Sequence, residues 1–253
     1  MEIHTICSFT DNGIALRVVD MIETGRFPTP IRCIMDARGG CYSAISLSDT
    51  RRQPFLVLLQ DLLDEWCVSQ KPTSAIVFGA AGCALPRFLL KSFEDVCVTA
   101  VECSVTLIEI AQKYFLHNLD MSRLRIVNDD ASKYFQNENA LSECDLILSD
   151  VYNGPNVSKR VYSEQYIHAA RSALVGSRMG AFFANLSGIL QNDLEDIIHK
   201  TLVEFGAVST CSQKGRVVLI ASTERDMILN LALRESGESD REWKHYSVES
   251  DGE

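Results

Sequence analysis

Ala75-Ile-Val-Phe-Gly-Ala-Ala-Gly-Cys-Ala-Leu-Pro-Arg87 is the stretch on which the fold turns. Four consecutive apolar residues suit a strand buried on both faces, and the turn bounded by Gly79 and Gly82 passes the chain straight into a helix-forming stretch. Outward from this unit the pattern repeats. Apolar runs at 75–78, 97–101, 124–127, 146–148 and 181–184 alternate with amphipathic stretches at 85–91, 105–117, 131–137 and 164–174. Repeated strand–helix units predict an α/β fold with a doubly wound, mostly parallel, Rossmann-like sheet. A helix at 193–205 follows, with Asn192 as its expected N-cap, Glu195 three residues on and Gly206 as its stop. The runs 208–211 and 217–221, joined by Ser212-Gln-Lys-Gly215, predict an antiparallel C-terminal hairpin closing one sheet edge.

Before this core, residues 1–50 carry short β-type runs at 14–19 and 31–35, broken by turn signals at 11–13, 27–30 and Gly39-Gly40. They predict a small antiparallel appendage. Phe55, Leu58, Leu59, Leu62, Leu63 and Trp66 fall at helical spacing and predict a helix leading into the main domain, 51–233. Residues 234–253 hold seven acids and three bases and read as a mobile, solvated acidic tail.

Composition narrows the function classes. The chain has 253 residues, 46% hydrophobic, with 34 acids against 24 bases and a net charge of −10. A chain of this length buries enough surface to need neither metal nor disulfide for stability. Its negative charge repels a phosphate backbone, so nucleic acid is not an expected partner. Nine cysteines, odd in number and without a C-x-x-C pair, suit reduced and mostly buried thiols in a cytoplasmic setting. No stretch approaches the roughly 20 apolar residues that span a bilayer, so no membrane association is expected.

In a doubly wound sheet the ligand sits beyond the carboxyl ends of the strands, where strand order reverses. Those ends carry Gly79-Ala80-Ala81-Gly82-Cys83, Glu102, Asp129-Asp130 and Asp150. Glu102 lies where a carboxylate can accept both hydroxyls of a ribose. The glycines follow G-x-x-G and not G-x-G-x-x-G; they also serve a tight strand-to-helix turn without any ligand. With a strand order 3-2-1-4, Asp130 and Asp150 stand about 14 Å apart, with Glu102 between them, which suits an adenosine bearing a short chain. A rim of carboxylates favours a sulfonium cation over a phosphate-rich dinucleotide.

Ala75 to Arg87, Ala100-Val-Glu-Cys103, Val127-Asn-Asp-Asp-Ala131, Cys144-Asp-Leu-Ile-Leu-Ser-Asp-Val-Tyr-Asn-Gly154, Val161-Tyr-Ser-Glu-Gln-Tyr166 and Phe183-Ala-Asn-Leu-Ser-Gly188 resemble, in order, the blocks of spermidine synthase-like proteins among the class I S-adenosylmethionine-dependent transferases. The resemblance covers residues 72–222. It implies that Glu102 binds the ribose with Cys103 beside it, that Asp130 binds the adenine amino group next to Ala131, and that Gly79, Ala80 and Gly82 hold the amino-acid or aminopropyl part. It places Asp150 where these enzymes keep the acid that orients and deprotonates the attacking amine, with Tyr152 and Asn153 shaping the acceptor side.

The chain departs from that pattern at two places. Asn153 stands where polyamine synthases keep a second acid, and Thr50-Arg-Arg-Gln-Pro-Phe55 replaces their acid–aromatic gate. Arg51 or Arg52 suits a carboxylate, so transfer of a methyl group from S-adenosylmethionine to a small amine is slightly favoured. Aminopropyl transfer from decarboxylated S-adenosylmethionine, a non-catalytic nucleotide-binding protein and NAD-dependent reduction stand as alternatives. No G-x-S-x-G elbow, Walker lysine loop or H-E-x-x-H motif is present, and the five histidines lack ligand spacing, so no metal site is expected. Cys83 and Cys103 read as packing thiols. The family often dimerises, which implies a homodimer.

Overall fold

The computed structural model describes residues 2–22, 30–48, 56–68, 71–136, 143–153, 156–174, 180–224 and 240–248. The chain opens with four strands, β1 (Glu2–Asp11), β2 (Ile14–Ile22), β3 (Ile31–Asp36) and β4 (Cys41–Ser46), followed by helix α1 (Val57–Cys67). The central part is β5 (Ser74–Phe78), α2 (Ala84–Ser92), β6 (Cys97–Glu102), α3 (Val105–Tyr114), β7 (Leu124–Asn128), β8 (Leu146–Ser149) and the short strands β9 (Tyr152–Asn153) and β10 (Asn156–Val157). It ends with α4 (Glu164–Ala173), β11 (Ala181–Asn185), α5 (Gln191–Phe205), β12 (Ala207–Gln213), β13 (Arg216–Ser222) and β14 (Glu242–Ser247).

The large sheet has the order β14-β12-β13-β11-β8-β5-β6-β7. Strands β7, β6, β5, β8 and β11 are parallel, which gives the expected 3-2-1-4 order, extends it by a fifth strand and puts the reversal between β5 and β8. Alternate residues of each strand face opposite layers. Val77, Ala100, Leu148 and Phe183 lie in one core with Leu59, Leu62 and Trp66 of α1 and Phe88 of α2. Ile76, Phe78, Ile147 and Phe182 lie in the other with Ile167 of α4 and Ile198 of α5. Each fully buried Leu, Ile or Phe contributes about 1.5–3 kcal/mol of transfer free energy, so the two-sided burial is what holds the strand ends in register.

The hairpin β12–β13 is formed, with Lys214 and Gly215 at positive φ in its turn, but it does not close the sheet. β13 lies against β11, and β14 pairs antiparallel with β12 as the outer strand. This corrects the solvated-tail expectation for residues 240–248, and the main domain extends past 233. Arg241 is the cause at one end: its guanidinium donates to Glu65 at 2.7 Å and to Asp61 at 3.0 Å, both on α1. Trp243 and Tyr246 pack against the two cores on opposite sides of the sheet.

Three smaller expectations also change. Of the stretch expected as a helix at 131–137, the described residues 131–136 do not form an α-helix; Asp130 Oδ1 accepts from Ser132 N and Oγ, which turns the chain before a single 3-10 turn at Tyr134–Gln136. Helix α5 begins with Leu190 at the N-cap position and no side-chain cap, so Asn192 sits inside the first turn. Of the nine cysteines, all free, four are buried and three are exposed, fewer than a mostly buried set. Among the described residues no helix is long and apolar enough to cross a membrane.

The N-terminal strands form one antiparallel sheet in sequence order. Leu16, Val18, Ile34 and Ile45 on one of its faces meet Ala84 of α2, Leu107 of α3 and Phe115. The sheet is thereby set against the carboxyl ends of β5 and β6, beside the point of strand reversal.

Candidate active site

One cavity of about 900 Å³ opens over the carboxyl ends of β5, β6, β7 and β8. Gly79, Ala80, Glu102, Cys103, Asp130, Ala131, Asp150, Tyr152 and Asn153 all line it, so the structure brings the sequence-selected residues together with the exception of Gly82. Hydrogen bonds across the strand ends keep this rim rigid. Gly79 N donates to Val101 O at 3.1 Å, Asp129 N to Glu102 O at 3.1 Å, and Asp150 N to Phe78 O at 3.0 Å.

The glycines have a steric reason of their own, whatever approaches from the cavity. Gly79 has φ +75°, and a Cβ there would stand 2.3 Å from the carbonyl oxygen of Asp150. It lets the ends of β5 and β8 meet. A Cβ on Gly82 would lie 2.8 Å from the Cβ and Oγ of Ser43, on β4, and 3.2 Å from Phe115. It lets the N-terminal sheet seat on the turn. Ala81 and Cys83 also take positive φ, at 40° and 59°, so this turn carries strain that its packing must offset.

Glu102 is 6% exposed and holds the turn to α3. Its Oε2 accepts from Ala81 N at 2.8 Å and its Oε1 from Ser104 N at 3.0 Å. The Cys103 thiol also donates to Oε1, at 3.5 Å, so of a carboxylate's roughly four acceptor positions one remains for a further donor. Ser104 caps α3 by accepting from Leu107 N and donates its hydroxyl to Asp11 Oδ1 at 2.6 Å. Asp130 Oδ1 is occupied by Ser132, while Ala131 beside it is buried.

Asp150 accepts from Asn185 Nδ2 at Oδ1, 2.8 Å away. Burial pushes its carboxyl up to about 6, against the opposing effect of the Asn185 hydrogen bond. Tyr152 donates its hydroxyl to Ser187 O at 3.1 Å and Asn185 O at 3.4 Å, and burial, then the Asp150 charge, pushes its phenol above the ordinary value. Asn153 is exposed and pairs with Asn156 across the β9–β10 ladder. Cys83 and Cys103 are raised to about 12 and about 11, chiefly by burial and then by Glu102, so both stay protonated near neutral pH. Arg51 and Arg52 lie outside the described residues.

Sequence reasoning missed the wall opposite the strand ends. Asp11, Asn12, Asp36, Tyr42 and Ser43 of the N-terminal sheet line the cavity, as do Asn185 and Ser187, while Asp129 joins Asp130 from the strand end already singled out. The Asp11-Asn12-Gly13 turn is legible as a hairpin, but its aim at Ser104 depends on docking between elements 93 residues apart. The described lining therefore holds six carboxylates, Asp11, Asp36, Glu102, Asp129, Asp130 and Asp150, and no lysine, arginine or histidine. Such a surface attracts cations and rejects phosphates. Among the described residues no group of three potential metal ligands is found.

No family model matches this chain, and no curated protein matches it in sequence. Solved structures match its fold over nearly its whole length. A probable spermidine synthase from Corynebacterium glutamicum aligns with a TM-score of 0.71 at 16% identity, covering 94% of this chain and 90% of that one. Spermidine synthase from Thermotoga maritima aligns with a TM-score of 0.61 at 17% identity, covering 93% and 79%. Human methyltransferase-like protein 13, in complex with SAH, aligns with a TM-score of 0.54 at 20% identity, covering 72% and 91%. The chain thus shares its overall fold with these spermidine synthases and, over a smaller share of its length, with this SAH-bound methyltransferase.

Proposed function

We propose that this protein moves an alkyl group from an S-adenosyl sulfonium donor to a small amine. The observation that carries the reading is the cavity lining, six carboxylates with no cationic side chain among the described residues, at the strand reversal of this fold. A sulfonium and an ammonium each gain from those surroundings, and a volume of about 900 Å³ has room for both an adenosyl group and a small acceptor. Glu102 would take the ribose hydroxyls on its remaining acceptor position and in place of the weak Cys103 thiol donor, Asp130 and Ala131 the adenine edge, and the 79–82 turn the short chain on sulfur.

The donor supplies a carbon already activated by positive sulfur. What remains for the protein is alignment, exclusion of bulk water and removal of a proton. Asp150 is the group for that last task. Its carboxylate, with a titration point raised towards neutrality by burial, accepts a proton from the acceptor ammonium and leaves a nitrogen lone pair free to attack. Nitrogen gains the carbon, the carbon–sulfur pair returns to sulfur as a neutral thioether, and the proton lost from nitrogen ends on Asp150 or water.

The cation-free described lining favours the decarboxylated donor, which brings a second positive charge in place of a zwitterion. Methyl transfer from the intact donor is the second reading, favoured by Asn153, which removes one carboxylate from the acceptor side. Calorimetry with each donor, followed by mass spectrometry of products from a panel of monoamines and diamines, tests both. Tighter binding of the decarboxylated donor and an aminopropylated diamine are expected. Methylated product overturns the donor assignment, and donor binding without product from any amine supports a non-catalytic nucleotide-binding protein.

A further inference from the structure

The carboxylate of Asp150 is held by a relay that begins on β11 and runs into the loop after it. Asn185 Nδ2 donates to Asp150 Oδ1 at 2.8 Å. The other end of the amide, Asn185 Oδ1, accepts from Ser187 N at 3.2 Å and from Ser187 Oγ at 2.6 Å. Ser187 Oγ in turn accepts from Val217 N of β13 at 3.4 Å. Turning the amide over would set its NH₂ against the Ser187 N–H and its oxygen against a carboxylate, and only the Ser187 hydroxyl could reverse its role to accept. The chain therefore decides which way Asn185 points. Asp150 Oδ2 has no hydrogen bond among the described residues and is the oxygen left for the cavity.

We propose that Asn185, locked by Ser187, is a positioning residue that clamps Asp150 Oδ1 and reserves Oδ2 for proton transfer with the acceptor amine. The clamp is a statement about geometry; only the proton it serves rests on the transferase reading above. The other titratable groups around Asp150 are Tyr152 and Tyr162, both pushed upward by burial, and across the cavity Glu102, Asp129 and Asp130. Tyr152 donates to the backbone carbonyls of Asn185 and Ser187, so it braces the same loop and leaves Asp150 to the amide. Tyr162 is engaged with Ser149 at 3.1 Å.

The test follows the Asp150 carboxyl by ¹³C nuclear magnetic resonance across pH in the full chain, assigned with Asp150→Asn, and compares Asn185→Leu and Ser187→Ala. The amide hydrogen bond favours the ionised form, so its removal moves the titration midpoint to higher pH, by about one pH unit for Asn185→Leu. Ser187→Ala frees the amide to turn and gives a smaller shift of the same sign; it also stands alone if the leucine variant fails to fold. In turnover, the acid limb of kcat/KM moves with the midpoint while donor affinity stays within about twofold. An unchanged midpoint in folded variants overturns the proposal. A shifted midpoint in a protein that transfers nothing to any amine supports the clamp and refutes the transferase reading instead.

Discussion

Replacing Asp150 by Asn should make the protein more stable above pH 6 while stopping transfer. Burial raises this carboxyl from an ordinary value of 3.8 to about 6, so between those limits the unfolded chain releases a proton that the folded chain keeps. As pH rises through that window, ionisation favours the unfolded state. Below about pH 3.8 the group is protonated in both states and costs nothing. Above about pH 6 the full cost is present, about 3 kcal/mol as a ceiling, reduced by whatever water in the open cavity solvates the charge. The amide introduced by Asp150→Asn would keep the shape and still accept from Asn185, without the charge. For a chain of this size each kcal/mol moves Tm by about 2–4 °C, so Asp150→Asn should melt up to about 10 °C above the wild type at pH 7.5 and level with it near pH 4. Thermal unfolding of both proteins at half-unit pH steps gives the difference, in which every other ionisation cancels to first order. A flat difference across pH, or a variant less stable at pH 7.5, refutes the idea that Asp150 is a desolvated carboxylate held against its own stability.

Two other substitutions probe how the cavity is built. Gly82→Ala brings a Cβ to 2.8 Å from Ser43 and should cost about 1–3 kcal/mol, with part of the loss recovered in the double variant with Ser43→Gly; additive losses in denaturant melts would show that the N-terminal sheet does not press on this turn. Arg241→Ala removes a guanidinium, 8% exposed, from between Asp61 and Glu65; it should cost about 2 kcal/mol and expose β14 amides to hydrogen exchange before those of β5 and β8, and uniform exchange across the sheet would contradict the docking role.

Much of this architecture is written locally. The apolar runs at 75–78, 97–101, 146–148 and 181–184 are strands, and Gly206 at φ +76° ends α5, because burial on two faces and a left-handed stop are properties of a few adjacent residues. Strand order could be anticipated because βαβ units admit few topologies, and with it came the meeting of Glu102, Asp130 and Asp150 at one rim. Residues 242–247 were illegible as a strand. Their alternation is blurred by Lys244 and His245, and their pairing partner, 207–212, is supplied from about 35 positions away.

What the chain declares by itself is therefore the set of strands, their carboxyl-end acids and the turn between Gly79 and Gly82, since these depend on hydrophobic period and backbone freedom. Tertiary structure alone decided that both glycines make room for neighbouring protein segments, that Asp11 and Asp36 join the acidic wall, and that Asn185 and Ser187 hold Asp150. Each of those outcomes is a contact between segments distant in sequence, where the decisive quantity is a separation of 2–3 Å created only when the sheets and helices have packed.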